Sequence, residues 1–190
     1  MIIGIDPGVS GAIAFIGDND AAAVRDAPTY QPGKRRRIAA GEFARIVRAH
    51  LADEKLRRSG ETVTAFIEAA WPRPSDGAVF AFTSGHGHGV YVGVLAAMDI
   101  PTTAVAPQKW TATLGVQKPK GAEKRDKGLS LELARKLFPE LALLLRREKD
   151  NGRAEALLIA HFARLSVRGE LFVPRPPAPT RPEPQPECEF

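Results

Sequence analysis

Apolar residues come in short runs at the start of the chain. Met1 to Ile5 is apolar and stops at Asp6, and Asp6-Pro7-Gly8 has the residue types of a tight turn. Gly11 to Ile16 (GAIAFI) is a second run and Ala21 to Val24 a third. Short runs parted by turn residues predict an antiparallel meander of strands. Residues 28–37 (PTYQPGKRRR) are polar and basic, which predicts a loop. The spacing then turns helical from Glu42 to Leu56, with Phe43, Ile46, Val47 and Leu51 on one face. Thr62 to Ile67 (TVTAFI) predicts a buried strand, and like the first run it ends on a carboxylate, Glu68.

Ala78 to Met98 has a helical pattern with many glycines, and a short strand is expected near Thr102 to Val105. Trp110 falls in a short helix after it. Residues 117–128 (QKPKGAEKRDKG) predict a basic loop, Leu129 to Phe138 a helix stopped by Pro139, and Asn151 to Leu165 a last helix. That helix is apolar at Ala154, Leu157, Leu158 and Phe162. Hairpin strands followed by strands alternating with helices predict an α/β domain on a mixed sheet. The domain is expected over residues 1–168. Residues 169–190 form a tail in which seven prolines follow Val173, a composition that predicts disorder.

A chain of 190 residues, 44% hydrophobic and 26% charged, suits one globular domain. The net charge of +5 and pI near 9.6 fit a polyanionic partner, though they equally fit a basic surface with no such partner. The single cysteine, Cys188, excludes an intrachain disulfide, so a reducing cytoplasm is the expected compartment. No apolar run has the length of a membrane span, and no membrane partner is expected.

Two carboxylates, Asp6 and Glu68, each end an apolar strand. If those strands are neighbours, both acids emerge at one sheet edge, where their mutual repulsion favours a cation between them. Glu155 is set in GRAEALLIA at the start of the last helix, close to its buried stripe. Asn151 lies one helical turn before it, and Asp150 could reach in from the helix N-terminus. Hard oxygen donors without nearby His or Cys favour Mg²⁺ or Mn²⁺. Two such ions can assist phosphodiester hydrolysis. Taken singly, Asp6 suits a turn residue, Glu68 an exposed strand end and Glu155 an acid at a helix N-terminus. Their shared placement at the ends of buried elements is what points to a site.

The opening MIIGIDPGVSGAIA, then Phe66-Ile-Glu68, the glycines at 77, 85, 89 and 93, Val105-Ala-Pro-Gln-Lys-Trp110, KGLSLELARKLFP over 127–139 and GRAEALLIA over 152–160 form an ordered set of blocks. In order and spacing the set resembles RuvC-type Holliday junction resolvases, particularly their phage-like branch, over most of residues 1–168. The resemblance implies a ribonuclease H-like fold: a mixed five-stranded sheet with helices on both faces. It also implies a homodimer, and Mg²⁺-dependent cleavage of branched DNA with symmetric nicks. Asp6, Glu68 and Glu155 match the first, second and last catalytic acids. The sequence departs at the fourth, where the family has an aspartate and this chain has Asn151 and Gly152. Asp150 is the candidate substitute. Relatives that bind DNA without cutting it, or that cut RNA–DNA hybrids or other branched DNA, are the alternatives. A helicase or recombination partner is not identified by any motif.

Lys127 matches a basic residue ahead of the Leu-Phe-Pro helix and could hold the scissile phosphate. Lys118, Lys120, Lys124 and Arg125 in the same loop, and the run Lys34, Arg35, Arg36 and Arg37, are candidate DNA-backbone contacts or simply solvated loops. Trp71 lies three residues past Glu68, where the resemblance implies an aromatic that stacks on bases near the junction; a half-buried core residue is the alternative. Trp110 is expected in the core. Gly85-His-Gly-His-Gly89 puts His86 and His88 on different helix faces, which argues against a two-histidine metal site; the resemblance implies that this helix faces the dimer partner, so the glycines are expected to serve packing there. A sugar kinase or actin-like ATPase shares the Asp-x-Gly opening, but no second glycine-rich phosphate loop occurs.

Overall fold

The computed structural model describes residues 1–53, 62–69, 77–117, 121 and 126–170. Its strands are β1 (Ile2–Asp6), β2 (Ala12–Ile16), β3 (Ala22–Asp26), β4 (Thr29–Tyr30), β5 (Arg37–Ile38), β6 (Thr64–Glu68) and β7 (Thr102–Val105). Its helices are α1 (Ala40–Leu51), α2 (Ala78–Ala97), α3 (Pro107–Thr113), α4 (Lys127–Leu137) and α5 (Asn151–Arg168). Two short 3₁₀ turns, Pro139–Leu145 and Glu148–Asp150, join α4 to α5.

Five strands form the main sheet in the order β3-β2-β1-β6-β7, with β1 antiparallel to β2 and parallel to β6. The meander, the buried strand ending at Glu68 and the mixed sheet are therefore as the hydrophobic pattern predicts. Alternation along β1 divides its side chains between two cores. Ile3 and Ile5 join Phe15 and Ile67 beneath α1 and α2, which contribute Phe43, Val47, Tyr91 and Leu95. Ile2, with Ala12, Ala14 and Ile16 of β2, faces α5, α4 and Trp110 of α3. Helices thus cover both faces.

The predicted basic loop at 28–37 differs in one respect. Its ends pair as the two-residue strands β4 and β5, with Thr29 opposite Ile38 and Tyr30 opposite Arg37. Ile38, fully inside the core, anchors that hairpin, and one apolar residue among polar ones gives no period to read. Helix α1 starts two residues before the predicted Glu42 and closes at Leu51, with Ala52 as its C-cap. Helix α5 ends at a left-handed glycine, Gly169, a common helix stop. The proline-rich tail lies outside the described residues.

Candidate active site

The parallel pairing of β1 with β6 sets Ile5 opposite Ile67. Asp6 and Glu68 are the next residues on these neighbouring strands, which run the same way, so both carboxylates leave the sheet at one edge. Alternation gives their face. Asp6 follows Gly4 by two residues and Glu68 follows Phe66 by two, and Gly4 and Phe66 both lie against the core that α5 completes.

Helix α5 brings the third acid to that face because two glycines let it approach. A Cβ on Gly152 would lie 2.5 Å from the Ser10 carbonyl and 2.9 Å from the Gly11 Cα. A Cβ on Gly4 would collide with the Ala156 carbonyl and the Ala160 backbone. The helix is thereby pressed on the β1–β2 turn at Gly152 and on β1 at Ala156. Glu155 lies between those two contacts. One turn earlier is Asn151, 6% exposed, whose Oδ1 has no hydrogen-bond partner among the described residues. An unmet buried amide oxygen costs about 1–3 kcal/mol, and it is a hard oxygen donor.

Two of the acids are held from behind. The Gly8 N–H donates to Asp6 Oδ1 at 3.2 Å, closing the turn that the sequence predicts. The Trp110 indole donates to Glu68 Oε2 at 2.8 Å, and its ring is wholly buried. Val105 of β7 pairs with Glu68, so α3, which starts at Pro107, sets Trp110 beside it. On the opposite face, burial first and the Asp6 charge second push the Tyr91 phenol far above its ordinary range. That phenol stays protonated at any working pH.

The donor types suit a hard divalent cation, with the Asp6 and Glu68 carboxylates at one sheet edge and the Glu155 carboxylate and the unmet Asn151 amide oxygen on the helix packed over that sheet. The set is not preassembled. Among the described residues no three His, Cys, Asp or Glu side chains are arranged to hold a metal ion.

Three comparisons bear on this arrangement. No family model matches the chain. It is 32% identical over 154 residues to the Holliday junction resolvase MOC1, a chloroplastic protein of Chlamydomonas reinhardtii, a match covering 74% of this chain. The chain spans 17% of the length of that relative. The T. thermophilus RuvC in complex with a Holliday junction substrate superposes with a TM-score of 0.54 at 15% identity, over 90% of this chain and 97% of that one. The fold is that of RuvC. A second Thermus thermophilus RuvC structure, 16% identical, covers 90% of this chain and 96% of its own with a TM-score of 0.49.

Within this RuvC fold the other candidates are placed unevenly. Asp150 is not open to the acid edge. Arg147 binds both of its carboxylate oxygens, at 2.7 and 3.1 Å from Oδ1 and 2.9 and 3.1 Å from Oδ2, and Arg153 stands 3.7 Å away. Hydrogen bonds from the Arg147 guanidinium, working against burial, hold its carboxyl down to about 2. Arg153 continues the chain of charges to Asp26 at the end of β3, at 2.6 Å. Arg153 thus ties the first turn of α5 to the sheet while Asp150 holds Arg147 beside it, roles the sequence hides because Arg147 and Arg153 look like any surface arginines. Lys127 opens α4, solvent-exposed, next to the cap made by Asp126 to the Gly128 N–H. Lys34 to Arg37 close the β4–β5 hairpin. Arg36 donates to Ser10 Oγ at 2.9 Å, and the guanidinium carbon of Arg37 lies 5.5 Å from the Phe82 ring centre. Trp71, Lys118, Lys120, Lys124 and Arg125 lie outside the described residues. The bond from Trp110 to Glu68 was not foreseen. Its signal was the tryptophan following the β7 strand, which by itself reads as core.

Proposed function

We propose that the chain is a divalent-metal-dependent endonuclease that cuts four-way DNA junctions. The carrying observation is the β1–β6 register, which sets Asp6 beside Glu68 under the helix bearing Glu155. The identity to a Holliday junction resolvase over 154 residues supports the junction as substrate. The basic charge of the chain suits DNA.

Asp6, Glu68, Glu155 and Asn151 are the proposed ligands of Mg²⁺, or of Mn²⁺ in its place, with two ions at the site. When bound, such ions activate a water and offset charge on the scissile phosphate. Trp110 and the Gly8 N–H fix the orientation of Glu68 and Asp6. Lys127, with Lys118, Lys120, Lys124 and Arg125 of its loop, would contact backbone phosphates, as would Lys34 to Arg37. Trp71 would stack on a base near the crossover. Asp150, engaged by Arg147, positions α5 in this scheme.

A homodimer through α2 completes the proposal. Gly85, Gly89 and Gly93 recur along one helix face with nothing within 4 Å of a built Cβ among the described residues, while Val79 and Phe82 are 54% and 60% exposed. Two copies related by a two-fold axis would present two acid sites to the two strands of a junction, giving symmetric nicks.

The test is incubation with a synthetic four-way junction and Mg²⁺, beside a linear duplex and an RNA–DNA hybrid. Paired nicks in the junction alone are expected, lost in Asp6→Asn and in Glu68→Gln. Cleavage surviving both substitutions would remove the metal site, and equal cutting of linear duplex would remove junction selectivity. A second reading, a junction-binding protein with little cleavage, is favoured by the neutral Asn151 and the unassembled acids. Tight junction binding with no nicks in either Mg²⁺ or Mn²⁺ would select it.

A further inference from the structure

Asp26 shares a cross-strand row with Asp6. Asp6 of β1 stands opposite Ala12 of β2, and Ala12 stands opposite Asp26 of β3. Neighbours in one row point to the same face, and Ala12 and Val24 both lie in the core that α5 completes. Asp26 is therefore on the α5 side, two strand spacings or about 10 Å along the row from Asp6. The backbone ladder of the sheet fixes that distance.

Helix α5 is fastened to this row by Arg153. Its Nε and Nη2 each donate to one Asp26 oxygen, both at 2.6 Å, and its Nη1 donates to the Leu144 carbonyl at 3.0 Å. A fork of this kind fixes direction as well as distance. The Arg153 side chain is only 18% exposed. A cation in the first turn stands at the unfavourable end of the helix dipole, so its fixed place there comes from the acids it meets. Among the described residues no side chain caps the N-terminus of α5, because the carboxylate of Asp150, its N-cap residue, is engaged by Arg147. Uncapped helix ends open most easily. The contacts at Gly152 and Ala156 lie one turn apart along one line of the helix. They set its depth and leave its roll to contacts off that line. Arg153 provides one, in the turn that carries Asn151 and leads to Glu155.

We propose that Arg153 is a positioning residue for the nuclease reaction, holding Asn151 and Glu155 at a set span from Asp6 through its fork on Asp26. Neither Arg153 nor Asp26 touches metal or DNA in this role. The fork engages both oxygens of Asp26, which sets that acid apart from the proposed ligands although it shares the row of Asp6. With the helix held, loading a cation needs rotation of the acid side chains and no shift of the backbone. The inference rests on the nuclease reading and adds to it the pair that sets the geometry of the metal edge.

The experiment uses the full chain and Asp26→Ala, a change to a side chain that is 66% exposed at a strand end. Three quantities are read: Mn²⁺ affinity of the DNA-free chain by electron paramagnetic resonance, hydrogen exchange of the α5 amides, and cleavage of a four-way junction. Asp26→Ala should weaken Mn²⁺ binding and lower kcat by about 10–100-fold each, with the KM for the junction unchanged. Exchange should quicken at the amides of residues 155–157, which close the first turn, and keep the wild-type rate in β1 and β6. Asp26→Glu should recover all three. In an Arg153→Ala background Asp26→Ala should cost nothing further, since the acid acts through that arginine alone. Additive losses overturn the proposal, as does wild-type Mn²⁺ affinity in Asp26→Ala. Faster exchange spread evenly over the whole sheet also overturns it, because the pair then serves the fold alone. A wild-type chain that neither binds Mn²⁺ nor cuts the junction sinks this inference and the nuclease reading together. A wild-type chain that cuts, with Asp26→Ala cutting equally well, sinks this one alone.

Discussion

Trp110 and Glu68 are forty-two positions apart, and one 2.8 Å hydrogen bond joins them. A carboxylate at a strand end has free rotation, so its orientation must come from a neighbour. The buried indole supplies it. Trp110→Phe keeps most of the ring volume and removes the donor. The expected result is a kcat for junction cleavage lower by about 10–100-fold, with the KM for the junction unchanged, as for other groups that orient metal ligands. A fall in kcat with a rise in KM and a collapsed thermal transition would mean that Trp110 matters only as core. Asp150 offers a different residue-scale test. Its carboxyl titrates at about 2, below the ordinary value of 3.8, because Arg147 stabilises the charged form. A group shifted down contributes its full stabilisation above the unfolded-state value and loses it as pH falls toward 2. Asp150→Asn should therefore cost on the order of 2 kcal/mol at neutral pH, and the difference from wild type should shrink between about pH 4 and pH 2. Denaturant titrations at those pH values measure it, and a pH-independent difference would argue against the ion pair as its source.

At the scale of the element, α5 decides whether the three acids meet. Ten of its residues are buried, Leu157 and Leu158 completely, so the helix docks with a face that apolar spacing alone predicts. How close it docks depends on Gly4 and Gly152. Helix propensity favours alanine over glycine by about 1 kcal/mol. At Gly152 the added methyl would meet the Ser10 backbone, and the resulting shift costs about 1–3 kcal/mol. Gly152→Ala should thus lower both the melting temperature and cleavage, whereas Gly41→Ala in the exposed first turn of α1, where an added Cβ meets nothing within 4 Å among the described residues, should raise the melting temperature. Thermal melts of the two variants side by side separate close approach from propensity. Equal shifts in both would mean that Gly152 does not set how closely α5 packs.

For the whole molecule, the open face of α2 is the feature that a single copy leaves unexplained. In a monomer a Cβ at Gly89 meets nothing within 4 Å among the described residues. In a dimer packed through that face it meets the partner's backbone. Gly89→Leu should accordingly leave folding intact, convert a sedimenting dimer to a monomer and abolish paired nicking. A variant that remains dimeric places the partner elsewhere.

The sequence by itself determined the elements and their faces. Apolar runs ending at Asp6 and Glu68, and helical spacing around Glu155, follow from periods of two and 3.6 that depend only on local geometry. The cover of helices on both faces of the sheet was implied by the resemblance to RuvC-type resolvases, not by those periods. The tertiary structure alone decided which ends coincide. The β1–β6 register, the depth of α5 against Gly4 and the Trp110 bond are contacts between distant segments, and no local period records them. The same holds for Asp150, adjacent to the site in sequence but engaged by Arg147, and for Arg36, drawn to Ser10 by a hairpin with two-residue strands. Local chemistry writes which side chains are available, whereas packing sets which of them face one another.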